Sequence, residues 1–215
     1  MVIGTINTTV LTKTRMQALF ESKDVEEMQI LALQETRLRS STPSWLVKIA
    51  REHGWGVACS EPPPPQVVTG AITNGGTAIL WRRSLGKISV HRSAALGHRI
   101  IGIKSALCAY VSVYGYAQSN ASFLAEAVEW SRMLGQQVIV IGDFNWRSAY
   151  SQVLQEDCQL VDMSGGTTTC GTTPTRCITR MPTRLQHKDK YKHVTATQSL
   201  FQVSRFMAWQ CFGSR

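Results

Sequence analysis

The sequence predicts an α/β fold, and three features carry that reading. The run Val138-Ile139-Val140-Ile141 is unbroken, apolar and β-branched, and it stops at Gly142-Asp143. Residues 28–33 form a second apolar run, which stops at Gln34-Glu35. Runs of this kind are strands buried on both faces, as they are where helices cover a sheet. Residues 2–10 read as a first strand, a short helical repeat follows, and the 28–33 strand comes next, the order of a crossover unit. Residues 88–92, 99–104 and 107–114 then give three strand-like runs parted by short polar or glycine-containing breaks, as in an antiparallel meander.

The elements between these runs follow from local chemistry. Met16, Leu19 and Phe20 recur at helical spacing behind Thr12 and Thr14, either of which suits an N-cap, and Lys23-Asp24 closes the helix. Residues 44–53 predict a second helix with Trp45, Leu46, Ile49 and Ala50 on one face and Gly54 as its stop. Residues 55–59 are extended, and the four prolines 62–65 make a stiff surface spacer. Gly75-Gly76 gives a tight turn into a strand over 77–82. His91 and His98 lie in the meander with no companion at ligand spacing and read as surface residues. Ser119 or Asn120 caps the clearest helix, whose inner stripe is Phe123, Leu124, Ala127, Val128, Ser131 and Leu134 and whose stop is Gly135. A short helix is expected over 149–157, an extended piece at Leu160-Val161-Asp162, a loop over 165–173, and helical spacing at Leu200, Val203, Phe206 and Met207.

Composition bounds the function. The 215 residues are 43% hydrophobic, enough for one sizeable domain with a packed core. No apolar run approaches the ~20 residues that span a bilayer. Lys13 and Arg15 follow an apolar start, the wrong order for a secretory signal. Six scattered cysteines lack C-x-x-C spacing and read as reduced thiols. These features predict a soluble, intracellular protein, the nucleus included, with no membrane partner; a monomer is expected, although no feature of the sequence speaks to oligomeric state. The net charge of +9 favours a polyanion such as nucleic acid. It is unevenly placed, because eight Lys and Arg against Asp189 alone put +7 of it between Arg176 and Arg215.

The chemistry gathers where the two apolar runs end. Asp143 and Asn145 are two apart at the end of a rigid strand, so a carboxylate and an amide project together. That pair suits a divalent cation and the orientation of a phosphate or a water. Taken alone it reads more simply as an Asp–Asn turn. Glu35 changes the balance, because two buried strands far apart in sequence each deliver an acid at the C-terminal end, where ligands bind in open α/β sheets. Leu33-Gln34-Glu35-Thr36 together with Gly142-Asp143-Phe144-Asn145 resembles the endonuclease/exonuclease/phosphatase superfamily, most closely its abasic-site endonucleases and retroelement endonuclease domains.

The resemblance implies a four-layered α/β sandwich, two mixed sheets flanked by helices. It implies Mg²⁺, or Mn²⁺, held by Glu35, with Asp143 orienting the attacking water and Asn145 and Asn7 holding phosphate. Tyr114 matches a functional tyrosine at a strand end, although Tyr116 and Ala117 stand where the family has proline and asparagine; a packing role for Tyr114 is as well supported. The implied activity is Mg²⁺-dependent phosphodiester hydrolysis of nucleic acid, DNA before RNA. The likeness covers residues 1–176 and then fails. No Ser-Asp-His triplet is present, and Cys177-Ile178-Thr179-Arg180 replaces an aspartate-bearing strand. His187, Asp189 and His193 sit in a Lys-rich run instead. The fold is therefore expected to be incomplete at the C-terminus. Residues 177–215 are expected to form a basic, divergent, poorly ordered tail, one sheet to keep an open edge, and activity to be impaired. Two other readings stand beside this one: a non-catalytic nucleic-acid-binding remnant, and a phosphatase acting on a small phosphorylated ligand.

Overall fold

Two six-stranded mixed sheets face each other, and helices cover their outer sides. The computed structural model describes residues 1–62, 75–115, 121–135 and 137–143, and the backbone alone of 160–162, 168–170, 173–177 and 207–212. In chain order the elements are β1 (Val2–Asn7), α1 (Lys13–Glu21), α2 (Lys23–Glu26), β2 (Ile30–Gln34), α3 (Ser44–Glu52), β3 (Trp55–Cys59), β4 (Thr77–Arg82), β5 (Ser89–His91), β6 (Ile100–Lys104), β7 (Ala109–Tyr114), α4 (Ala121–Arg132), β8 (Gln137–Asp143), β9 (Leu160–Asp162), β10 (Thr168–Cys170), β11 (Thr173–Cys177) and β12 (Met207–Phe212). The first sheet runs β10-β11-β1-β2-β4-β3 and the second β5-β6-β7-β8-β12-β9. β1 and β2 are parallel across the α1 crossover, and β7 and β8 are parallel across α4. The meander β5-β6-β7 is antiparallel.

The period of two along each strand divides the apolar residues into three cores, and three cores make four layers. Leu31 and Leu33 face outward and pack with Met16 and Leu19 of α1 and Leu46 of α3. Ile30 and Ala32 face inward and meet Ile139 and Ile141 of β8, with Ile101, Ile103 and Tyr110 beside them. Val138 and Val140, on the other side of β8, pack under Phe123, Ala127 and Val128 of α4. The unbroken apolar runs are thus explained, since β2 and β8 are central strands whose two faces both meet a core.

Several elements differ from the sequence expectation for identifiable reasons. β1 stops at Asn7 rather than Val10, because Thr9 takes a left-handed backbone at φ 56°. Lys23-Asp24 does not end the helical stretch; Ser22 accepts a hydrogen bond from the Asp24 amide and starts α2. The segment read as a loop over 165–173 contains β10, which pairs antiparallel with β11. β12 is extended where helical spacing was expected to run through Met207. Its six residues lie antiparallel along β8, at the edge the sequence left open. A row of unpaired strand amides and carbonyls recruits a chain that can pair with it, and of the helical spacing only Met207 falls within the described residues. The expected helix at 149–157, the caps Ser119 and Asn120, and residues 178–206 lie outside the described residues.

Candidate functional site

The same parity that builds the central core brings the polar strand ends together. Ile3 of β1 points into the space between the sheets, so Thr5 and Asn7 do as well. Ile30 and Ala32 of β2 carry Gln34 with them, Tyr110 of β7 carries Ser112 and Tyr114, and Ile139 and Ile141 of β8 carry Asp143. β1 with β2, and β7 with β8, run parallel pair by pair, with Asn7 opposite Gln34 and Tyr114 opposite Asp143. Four C-terminal strand ends therefore open onto one end of the inter-sheet space.

Glu35 follows the opposite rule. It is odd-numbered like Leu31 and Leu33, and continued strand would turn it toward the helices. Its backbone instead takes φ 52°, and Arg37 takes φ 50°. A left-handed conformation costs a non-glycine residue about 1–2 kcal/mol. Here it re-aims the carboxylate into the cleft. The turn is held by its neighbours: the Thr36 amide donates to the Gly76 carbonyl at 3.1 Å, and the Arg37 amide to Gly75 at 2.9 Å. A Cβ on Gly76 would stand 2.6 Å from Thr36 Oγ1, and its φ is 85°. The glycine pair is thus a bed for the Glu35 loop as well as a turn, which the sequence did not disclose.

The side chains meet at the Asn7 amide. Its Nδ2 donates to Glu35 Oε1 and to Asp143 Oδ2, both at 3.0 Å. Its Oδ1 accepts from the Thr9 amide at 3.0 Å, which fixes the orientation of the group. The Tyr114 hydroxyl donates to Glu35 Oε1 at 2.9 Å. The Arg37 guanidinium stands 3.5 Å from Glu35 Oε2. Arg15 donates to the Thr8 and Val10 carbonyls at 2.6 and 2.8 Å and braces the loop that carries Asn7. Asp143 is 3% exposed, so it is not the surface carboxylate a strand-end position suggests. The strand ends lie inside the cleft mouth and α4 covers the far side of β8. His98, half-buried just before β6, has its pKa lowered first by burial and then by the adjacent Arg99 cation, so the neutral imidazole is favoured.

The structure thus brings Asn7, Glu35, Tyr114 and Asp143 into one hydrogen-bonded group. Asn145 and the alternative pair of His187 or His193 with Asp189 lie outside the described residues. Arg37 and Arg15 join the site without a sequence expectation, and Gly76, expected only as part of a turn, supports it; the positive charge directly after Thr36 and the glycine pair were the available signals. The donor set suits a hard cation. Every candidate ligand is an oxygen, and among the described residues Glu35 Oε1 already accepts two hydrogen bonds while Oε2 has only the longer Arg37 contact. Among the described residues no three His, Cys, Asp or Glu side chains cluster. Mg²⁺ tolerates that, because it typically takes one or two carboxylates and keeps its waters. Among the described residues no helix is long and apolar enough to cross a membrane.

A model of the Endonuclease/Exonuclease/phosphatase family matches residues 6–187. Members of this family are nucleases or phosphatases and generally use divalent metal ions. Among solved structures, the 3′ phosphatase NExo from Neisseria, bound to a product DNA hairpin, has a TM-score of 0.59 at 16% identity, over 98% of this chain and 86% of that one. The 3′-5′ exonuclease NExo from Neisseria meningitidis gives 0.52 at 18% identity, over 75% and 72%. An endonuclease/exonuclease/phosphatase family protein from Leptotrichia buccalis gives 0.51 at 11% identity, over 96% and 86%. At these identities the likeness is one of fold. No curated protein sequence matches the chain.

Proposed function

The chain belongs to the endonuclease/exonuclease/phosphatase family, and from that premise we propose that it is a metal-dependent phosphodiesterase acting on nucleic acid, DNA in the first instance. The observation that carries the proposal is the Asn7 amide bridging Glu35 and Asp143, with the Tyr114 hydroxyl on the same Glu35 oxygen. Two carboxylates this close are unfavourable unless a cation or donors are shared between them. In this reading Glu35 would hold Mg²⁺ or Mn²⁺, which would supply charge neutralisation at the phosphate. Asp143, held by Asn7, aims the attacking water at phosphorus and accepts its proton as the new P–O bond forms; the P–O ester bond opposite breaks, and the departing oxygen takes a proton from solvent. Asn7 and Asn145 position the phosphate and Tyr114 donates to a phosphate oxygen, Asn7 and Tyr114 doing so once their bonds to Glu35 are exchanged.

The missing Ser-Asp-His triplet sets the expected rate. A positioned acid or base contributes typically 10²–10⁴-fold, so turnover well below ~1 s⁻¹ is expected of this chain. Plasmid and abasic-site duplex are incubated with Mg²⁺, with Mn²⁺ and with EDTA. Slow cleavage that needs the metal supports the proposal. Salt-sensitive binding without cleavage would assign a non-catalytic nucleic-acid-binding role. Turnover confined to small phosphate esters would make the protein a phosphatase, and the similarity in fold to a 3′ phosphatase keeps that arm in the assay.

A further inference from the structure

Directly beneath the four site residues the inter-sheet core changes character. Below it the facing residues are Ile30, Ala32, Ile139 and Ile141. At the next level stands Gln34, the last residue of β2 and 0% exposed. Its Oε1 accepts from the Thr5 hydroxyl on β1 at 2.9 Å, and its Nε2 donates to Ser112 Oγ on β7, in the opposite sheet, at 3.2 Å. Its carbonyl accepts from both the amide and the hydroxyl of Thr8, each at 2.9 Å. Thr77 of β4, opposite Gln34 in register, is also fully buried, and its Oγ1 has no hydrogen-bond partner among the described residues. A polar row this deep is not what stability alone selects, because an apolar side chain of the same size would avoid the desolvation altogether.

We propose that Gln34 is a positioning residue: through Ser112 it ties the two sheets together and fixes the separation of the Asn7–Glu35 half of the site from the Tyr114–Asp143 half. The placement supports this at each end. Glu35 is the next residue in the chain, and Asn7 is the register partner of Gln34 on β1. Ser112 lies two residues before Tyr114, one rung or roughly 7 Å along the strand, and is the register partner of Ile141, two before Asp143. The bonds from Asn7 to Asp143 and from Tyr114 to Glu35 both span the two sheets. They hold only if the sheets keep one spacing at that level, and dispersion between isoleucines sets a spacing less sharply than a directional hydrogen bond does. The tie itself does not depend on which ester is hydrolysed; its consequence for turnover rests on the phosphodiesterase reading.

The test uses the full chain and three variants. Gln34→Met keeps length and removes both bonds; Ser112→Ala removes the cross-sheet bond alone; Ile30→Val loosens the same core two rungs lower. The Asn7 side-chain amide, pinned between two carboxylates, is followed by ¹H–¹⁵N NMR, and Mg²⁺-dependent cleavage is followed as kcat and KM. Gln34→Met and Ser112→Ala should shift the Asn7 amide signals and lower kcat by about tenfold or more, with KM changed less than about threefold, because a misplacement near 1 Å is enough to cost that much. Ile30→Val should lower Tm and leave the Asn7 signals in place. A Gln34→Glu variant should recover, relative to wild type at each pH, as the pH falls and its carboxyl becomes a donor to Ser112. Asn7 signals and kcat unchanged in both Gln34→Met and Ser112→Ala would overturn the proposal, as would equal shifts in Ile30→Val. A wild type without cleavage would defeat the phosphodiesterase reading alone, because the Asn7 signals still report the tie. Should Gln34→Met fail to fold, Ser112→Ala decides.

Discussion

Asp143→Asn is expected to separate stability from activity. Asn7 Nδ2 lies 3.0 Å from an oxygen of each carboxylate, so those two oxygens are at most about 6 Å apart. Two unit charges at ~6 Å repel by about 3 kcal/mol at an effective dielectric constant near 20. The Arg37 guanidinium at 3.5 Å from Glu35 offsets part of this, leaving about 1–2 kcal/mol to be relieved when one charge is removed. The amide oxygen of the variant still accepts from Asn7, and exchanging a charged for a neutral acceptor costs about 1 kcal/mol. The balance lies between zero and about 1 kcal/mol in favour of the variant, or a Tm rise of up to ~4 °C for a chain of this size. Cleavage should fall by ~10²-fold or more, since the group that orients the water is gone. Thermal denaturation in EDTA beside a plasmid-nicking assay reads both quantities. A Tm lowered by more than ~4 °C would refute the reasoning, because the carboxylate would then belong to the scaffold and not to the chemistry.

Other outcomes follow from the same geometry. Mg²⁺ at 100 times its dissociation constant should stabilise the wild type by about 2.7 kcal/mol and Glu35→Gln hardly at all; equal metal-induced shifts in calorimetry would place the cation elsewhere. Tyr114→Phe removes the 2.9 Å bond to Glu35 and should cost about 1 kcal/mol while lowering kcat, and an unchanged kcat would leave the phenol a packing group. Gly142→Ala should destabilise by more than ~3 kcal/mol, because the added Cβ would collide with the Val113 carbonyl oxygen; a variant that melts like wild type would contradict the β7–β8 register. Burial raises the Cys59 thiol pKa to about 11. The unfolded chain ionises this thiol at lower pH than the folded one, so the stabilisation is complete below about pH 8.5 and is lost as pH rises toward about 11. Cys59→Ala should flatten that alkaline limb of the urea-denaturation profile; the same slope in both proteins would mean the thiol does not carry it.

Much of the fold was legible because its strongest signal is local. Val138-Ile139-Val140-Ile141 and Ile30-Leu31-Ala32-Leu33 each meet two cores, and a strand covered on both faces writes that fact as an unbroken apolar run. The parallel pairing of β1 with β2 could be anticipated from the helix between them, since a crossover leaves little alternative. β12 could not be found this way. Its partner β8 ends more than sixty residues earlier, and nothing local to Met207–Phe212 distinguishes a sheet edge from a helix face. β10 was hidden similarly, because its pairing depends on β11 and its threonines suit a loop as well as a strand.

The candidate site divides along the same line. Asn7, Tyr114 and Asp143 all obey the period of two, so knowing which strands are central is enough to aim them into one cleft. Glu35 breaks that period, and parity alone would have turned it toward α1 and α3. It reaches Asn7 only because residues 35 and 37 take left-handed backbones that no side chain in Glu35-Thr36-Arg37 announces. The support for that conformation is Gly75-Gly76, some forty residues away, whose carbonyls accept the Thr36 and Arg37 amides. A position that local rules misplace, held in strained backbone by a distant partner, is where sequence reasoning is expected to fail and where function concentrates. The strain can therefore be used as a measurement. Replacing Glu35 by glycine removes the left-handed penalty and the carboxylate together. If the bend exists to aim that carboxylate, Glu35→Gly should leave Tm in EDTA within a few degrees of wild type, because relief of the left-handed strain and of the repulsion from Asp143 offsets the lost Asn7 and Tyr114 bonds and the added freedom of the unfolded chain, and it should abolish the Mg²⁺-induced shift. A variant that melts many degrees lower would show that the bend is held for packing, and that the aim of Glu35 is its by-product.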